Sequence, residues 1–249
     1  MAPAVSIADL CVHFGDRLAL DRVSVEIAPG SSLAVIGPNG SGKSTLLSAI
    51  AGLVSPSSGT VRLDGPAPAY VLQSTAVDRS FPINVRDTVM MARYPERGLL
   101  GRIRRADHDA VERALDRVEL TDVAKRSFHE LSGGQRQRVL VAQGLAQERP
   151  VLLLDEPANA LDPRSREIIQ GVIAEESAAG TAVITTTHDL DDARRCDVVL
   201  LLNTEAVAVG PPAEALTEDS LSTAFGGHFI RVGDRLLLDD PHHHHHHEH

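Results

Sequence analysis

The stretch Leu33-Ala34-Val35-Ile36-Gly37-Pro38-Asn39-Gly40-Ser41-Gly42-Lys43-Ser44-Thr45 decides how this chain is read. From Gly37 to Ser44 it follows the pattern G-x-x-x-x-G-K-S. Leu33 to Ile36 has strand character, and Lys43 to Leu53 has the apolar spacing of a helix. A Gly-rich loop in that setting curls so that successive N–H groups point inward at a helix N-terminus, forming a nest for anions. Gly37, Gly40 and Gly42 permit the curl, and Pro38, Asn39 and Ser41 complete the loop. Lys43 is then set to reach the β- and γ-phosphates of a nucleotide and the Ser44 hydroxyl to ligate Mg²⁺, with Thr45 next on the helix. A plain Gly-rich turn is the competing reading; the full pattern in its strand–helix context favours nucleotide binding.

Outward from the loop, Val5 to Phe14, Val23 to Ile27, Thr60 to Leu63 and Ala69 to Leu72 read as strands, punctuated by Gly15-Asp16 and Pro29-Gly30. Residues 74–148 change character. Val85 to Arg93, Ala106 to Leu115 and Gly133 to Gln147 show helical apolar spacing, joined by polar links. From Val151 the alternation returns, with strands at Val151 to Leu154, Thr181 to Thr186 and Val198 to Leu202, and helices at Pro163 to Glu176 and Leu190 to Arg195. Such alternation predicts an α/β fold whose mostly parallel sheet is covered on both faces and interrupted by a helical insert.

Two further strings carry chemistry. Val151-Leu152-Leu153-Leu154-Asp155-Glu156 closes a buried strand on an acidic pair. A parallel strand delivers Asp155 to the edge of the sheet near the phosphates, where it can support Mg²⁺ through water. Glu156 then stands where a base polarises an attacking water, although an acidic pair at this place can also be a simple helix cap. Leu131-Ser132-Gly133-Gly134-Gln135 opens the helix that runs to Gln147. Ser132 suits an N-cap, and with the Gly133-Gly134 backbone it offers donors to a phosphate.

The phosphate loop, the LSGGQ string and the acidic pair followed by Pro157 and Asn159-Ala160-Leu161-Asp162 together resemble the ATP-binding subunits of ABC transporters, from about residue 5 to residue 232. The resemblance implies a P-loop NTPase core with an N-terminal antiparallel β subdomain and an inserted α-helical subdomain at about 74–148, using ATP and Mg²⁺. It implies that Gln73 touches Mg²⁺ and senses the γ-phosphate, that His188 contacts the γ-phosphate, and that Phe14 stacks on adenine where the family often has Tyr. An ordinary surface His and a core Phe are the plain alternatives. Ser132, Gly133, Gly134 and Gln135 are implied to serve the ATP of a second copy, in a head-to-tail pair with nucleotide between the subunits. Between Lys43 and Gln73 this sequence is compact for the family.

The same resemblance implies integral membrane permease partners. Asp78 to Val85 would dock them, with Phe81 and Ile83 seating a cytosolic helix; a self-packed loop explains that composition as well. Phe81-Pro82-Ile83, Met91-Ala92-Arg93-Tyr94 and Ala224-Phe225-Gly226-Gly227 are similar to ATPases of manganese, zinc and iron uptake, which work with an extracytoplasmic solute-binding protein. An exporter, an importer of another solute, or a soluble ABC ATPase acting in assembly, repair or translation are the other readings.

Composition narrows the partners. Of 249 residues 43% are hydrophobic and 23% charged, as in ordinary globular proteins. A formal charge of −10, from 24 basic and 34 acidic side chains, argues against nucleic acid as a partner. The apolar runs fall far short of the roughly 20 residues of a membrane helix, and MAPAVSIADL lacks the start of a secretory signal. These features point to the cytosol, and the resemblance implies a peripheral place at the cytoplasmic face of a bacterial plasma membrane. Cys11 and Cys196, far apart in sequence, form no metal or disulfide pattern. Residues 233–249 read as a tail, and His242 to His249 is either a purification tag or a natural metal-binding tract.

Overall fold

The computed structural model describes residues 2–72, 83–97, 101–232 and 235–239. In chain order the elements are β1 (Val5–Phe14), β2 (Arg17–Ile27), β3 (Ser32–Ile36), α1 (Lys43–Ile50), β4 (Ser58–Leu63) and β5 (Ala69–Val71). Next come α2 (Val85–Met90), α3 (Tyr94–Arg97), α4 (Arg105–Arg117) and α5 (Gly133–Leu145), with a 3₁₀ turn at Met91–Arg93. The chain continues through β6 (Val151–Leu154), α6 (Pro163–Ala178), β7 (Ala182–Thr187), α7 (Leu190–Ala193), β8 (Val198–Asn203), β9 (Glu205–Gly210), α8 (Pro212–Ala215), α9 (Glu218–Phe225), β10 (His228–Val232) and β11 (Arg235–Asp239).

The main sheet has the order β5-β6-β7-β3-β8-β9, parallel from β5 to β8 with β9 antiparallel at one edge. Every residue of β3, β6 and β7 is buried, the mark of parallel strands covered on both faces. A second sheet, β2-β1-β4, is antiparallel and lies N-terminally. Its inward side chains, such as Leu10, Leu20 and Val23, pack with Leu33, Leu46, Leu47 and Leu153 into one core beneath α1. A second core joins the segment between β5 and β6 to the sheet: Val89, Val111, Leu115, Phe128, Val139 and Val141 of the insert cluster with Val71, Leu152, Leu154 and Val183 of the strands and Ile169 and Val172 of α6. The helical insert is thus spliced into the crossover between two neighbouring strands.

Several boundaries differ from the sequence expectation. β2 begins at Arg17 rather than Val23, because its first residues pair across the Gly15-Asp16 turn, Phe14 opposite Arg17. α1 ends at Ile50 and leaves Leu53 exposed. The expected helix Val85 to Arg93 divides into α2 and the 3₁₀ turn. β9, α8 and α9 were not anticipated; Leu216, Leu221 and Ala224 pack there on β8 residues Val199 and Leu201. Part of the expected tail is strand, since β11 pairs antiparallel with β10 from His228↔Asp239 to Val232↔Arg235. His242 to His249 lies outside the described residues, as do Asp78 to Pro82 of the proposed docking segment. Ile83 is partly buried against the insert's own core, and its carbonyl accepts from the Phe128 N–H at 3.0 Å, so this residue follows the self-packed alternative.

Candidate nucleotide-binding site

Parallel pairing puts the carboxyl ends of β3, β6 and β7 side by side: Leu154 stands opposite Thr185, and Ile36 opposite Thr187. The loops that follow these strands therefore emerge together. These loops hold Gly37 to Gly42, Asp155 with Glu156, and His188.

The loop from Gly37 runs into α1 through Gly42, whose φ of 102° is in the left-handed region and caps the helix. A β-carbon at Gly42 would stand 2.6 Å from the Ala19 carbonyl oxygen, so the loop can nestle against β2 only with glycine here. Lys43 is 7% exposed and donates to the carbonyls of Gly37 at 2.8 Å and Pro38 at 3.1 Å. Burial lowers its pKa, opposed by the negative charges of Glu156 and Asp155. The Ser44 side is open to solvent, and Thr45 is half-buried behind it. Phe14, Asn39, Gly40, Gly42, Lys43, Ser44, Thr45 and Glu156, with Arg17 and Ala19, line one open cleft of about 300 Å³. Phe14 is 52% exposed on its wall, which removes the core-Phe alternative.

Asp155 continues the sheet, its N–H donating to the Val71 carbonyl at 2.9 Å, and it is buried. Thr186 on β7 clasps the acidic pair: its hydroxyl donates to Asp155 Oδ1 at 2.6 Å and accepts from the Glu156 N–H at 2.8 Å. Glu156 has φ 46°, a strained value for a side-chain-bearing residue. Its Oε2 accepts from Asn159 Nδ2 at 2.8 Å. Asn159 entered the sequence reading only as part of a matching loop, and the contacts that it and Thr186 make with the acidic pair were not anticipated. The available signal was the run Thr185-Thr186-Thr187, three buried hydroxyls at the end of an interior strand, where polar groups need partners. His188 is exposed and lines a neighbouring crevice with Glu156, Asn159 and Thr186. Its neighbour Asp189 caps α7 and accepts from Arg166 at 2.5 Å. Burial pushes the Asp189 pKa up, but Arg166 and the N–H groups of Asp191 and Asp192 outweigh it and the net shift is downward.

Ser132 caps α5 in a reciprocal box: its Oγ accepts from the Gln135 N–H at 3.2 Å, and Gln135 Oε1 accepts from the Ser132 N–H at 3.0 Å. Ser132 and Gly133 are exposed, and none of Leu131 to Gln135 lines the cleft of the phosphate loop. Gly134 is buried against the start of α6. A β-carbon there would stand 2.4 Å from both Asp162 Oδ2 and Ser165 Oγ. Asp162 in turn caps α6, Oδ1 accepting from the Ser165 N–H at 2.9 Å, and that bond holds its pKa below the usual carboxylate range. The two glycines should therefore differ. Gly134→Ala is expected to destabilise by about 1–3 kcal/mol, through displaced neighbours. Gly133→Ala, with open space around it, should be neutral or stabilising by up to about 1 kcal/mol. Urea denaturation of both variants checks this, and equal effects would contradict the contact.

Among the described residues no cluster of three His, Cys, Asp or Glu side chains forms a metal cage. What the cleft offers instead is the hydroxyls of Ser44 and Thr45 and the carboxylate of Glu156, with the buried Asp155 preceding it in the chain. That set fits a Mg²⁺ ion that keeps waters and phosphate oxygens as ligands. Gln73 lies outside the described residues.

Comparison with known proteins agrees with this geometry. A family model described as ABC transporter matches residues 20–159. The manganese transport system ATP-binding protein MntB of Listeria innocua is 37% identical over 230 residues, covering 89% of this chain and 96% of that protein. The hemin import ATP-binding protein HmuV of Streptomyces coelicolor is 42% identical over 230 residues, covering 87% of this chain and 81% of that protein. Among solved structures, an inward-facing metal-chelate type ABC transporter superposes with a TM-score of 0.82 at 30% identity, over 92% of this chain and 91% of that one. The chain belongs to the ABC transporter family, as an ATP-binding ATPase subunit that powers a membrane transporter.

Proposed function

We propose that this ATPase drives import of a transition-metal ion through a separate permease, from the cytoplasmic face of the membrane, with a solute-binding protein delivering the metal outside. The observation that carries the reading is the run of manganese transport ATP-binding proteins at 35–37% identity, over 89–94% of the chain. No described helix is long and apolar enough to cross a membrane, which supports a channel supplied by other chains. A second reading, import of a metal held in an organic chelate, draws support from the 42% identity to a hemin import protein.

In this proposal ATP lies along the phosphate loop with its base against Phe14. Lys43 turns from the Gly37 and Pro38 carbonyls to the β- and γ-phosphates. Glu156, steadied by Asn159, takes a proton from the attacking water. His188 stands next to Glu156 and holds the γ-phosphate end, and Gln73 takes the role implied for it beside the metal. Ser44 and Asp155 would hold Mg²⁺, which when bound offsets charge on the β,γ-phosphate oxygens. The exposed Ser132-Gly133 turn takes no part in lining its own cleft, which supports its use on the ATP of a second copy packed head to tail. ATP then favours a closed pair, and hydrolysis removes the contact that bridges the halves.

The test is uptake by a strain lacking this chain, measured by elemental analysis after adding Mn²⁺, Zn²⁺, Fe²⁺ or haem. Accumulation of one free ion should fall at least about fivefold, as expected when the coupled ATP-driven step is lost, and plasmid-borne protein should restore it. Loss confined to haem moves the conclusion to the chelate, and unchanged content for all four removes metal import.

A further inference from the structure

Beside the phosphate loop stands a cation that no motif accounts for. The turn Phe14-Gly15-Asp16-Arg17 closes the hairpin of β1 and β2, and Phe14 pairs directly with Arg17. Directly opposed residues of an antiparallel pair project to the same face, so both side chains leave the hairpin on one side. Both line the cleft that contains Gly40, Lys43 and Glu156. Arg17 Nη2 lies 3.7 Å from the point where a β-carbon on Gly40 would stand, which puts the guanidinium over the middle of the loop. Among the described residues Arg17 and Lys43 are the two cations of this cleft. They are in different states. Lys43 is buried and bonded to its own loop, whereas Arg17 is exposed and makes no ion pair or hydrogen bond among the described residues. Glu156 is the one carboxylate among the described residues that line this cleft, and Asp16 precedes Arg17 in the turn.

We propose that Arg17 is a nucleotide-binding residue that grips the polyphosphate chain from the side opposite Lys43 and makes the site prefer di- and triphosphates over monophosphates. A guanidinium is always charged and presents paired N–H donors that match two phosphate oxygens at once. Its place next to Phe14 joins the two jobs of the hairpin: the ring holds the base, and the cation receives the phosphates as they turn toward Gly40. The inference rests on the cleft being the ATP site.

Three purified proteins test it: the unaltered chain, Arg17→Gln and Lys43→Ala, each titrated calorimetrically with ATP, ADP and AMP at two salt concentrations. Arg17→Gln should weaken ATP and ADP by about tenfold, the loss of one charge-assisted contact. AMP affinity should stay within about twofold, and the dependence of ATP affinity on salt should become shallower. Arg17→Lys should recover part of the loss. Equal weakening of all three nucleotides would make Arg17 a base-stacking or packing residue and overturn the proposal. So would an unchanged ATP affinity in Arg17→Gln alongside a loss in Lys43→Ala. No loss in either variant would instead remove the cleft as the nucleotide site. Because Arg17 is exposed, its variants should melt with the unaltered chain, and a matching thermal transition verifies this.

Discussion

Glu156→Gln should bind ATP as tightly as the unaltered protein while its turnover falls by roughly 10²–10⁴-fold, the usual contribution of a positioned general base. The substitution removes the proton-accepting charge and little else. The Glu156 N–H bond to Thr186 belongs to the backbone and survives, and the new amide oxygen can still accept from Asn159. The left-handed φ of 46° is equally available to glutamine. With hydrolysis blocked, the nucleotide bridging two subunits is no longer consumed, so the closed pair should accumulate. Size-exclusion chromatography with saturating ATP and Mg²⁺ should show a dimer for Glu156→Gln and a monomer-rich profile for the unaltered chain after turnover. Hydrolysis within about threefold of normal would mean that another group serves as the base.

Lys43→Ala is expected to lose both binding and turnover. The ammonium is buried among loop carbonyls, and two of its hydrogens already go to Gly37 and Pro38. It therefore shapes the loop itself, beyond its proposed contact with the phosphates. Hydrogen bonds involving a charged group contribute about 1.5–3 kcal/mol each, so losing one or two to phosphate should weaken ATP at least about 10- to 100-fold. Calorimetric titration measures the loss. A thermal melt separates it from misfolding, because removing a buried amine leaves two carbonyls short of a donor. Unchanged ATP affinity in a folded variant would place the nucleotide elsewhere.

Much of this site could be read before any coordinates, for a physical reason. The phosphate loop, the acidic pair and the LSGGQ turn are contiguous strings, each fixed by local backbone geometry. The buried strands β3 and β6 were equally plain, since full burial writes a nearly continuous apolar run, and β7 opens on one before its three threonines. What escaped depends on contacts between distant segments. Thr186 reaches Asp155 and Glu156 across a strand pair, Gly134 meets Asp162 across two helices, and Arg17 comes to Gly40 only because β2 starts early. β9 was missed because an edge strand with no fully buried residue, four of its six half-buried and two exposed, has weak patterning. The β10–β11 hairpin was legible in principle: His228 to Val232 and Arg235 to Asp239 are two strand-like runs around Gly233-Asp234.

The placement of β3 has a consequence during synthesis. This strand bears the phosphate loop, yet both its flanks are sealed by segments made much later, β7 on one side and β8 on the other. At about 5–20 residues per second, a ribosome needs roughly ten to thirty seconds to supply them. Throughout that interval the nascent chain carries an apolar ribbon with two open backbone edges, a template for pairing with any neighbouring polypeptide. A translation product broken off within the insert would keep that defect permanently, so the last third of the message governs whether the first third stays soluble.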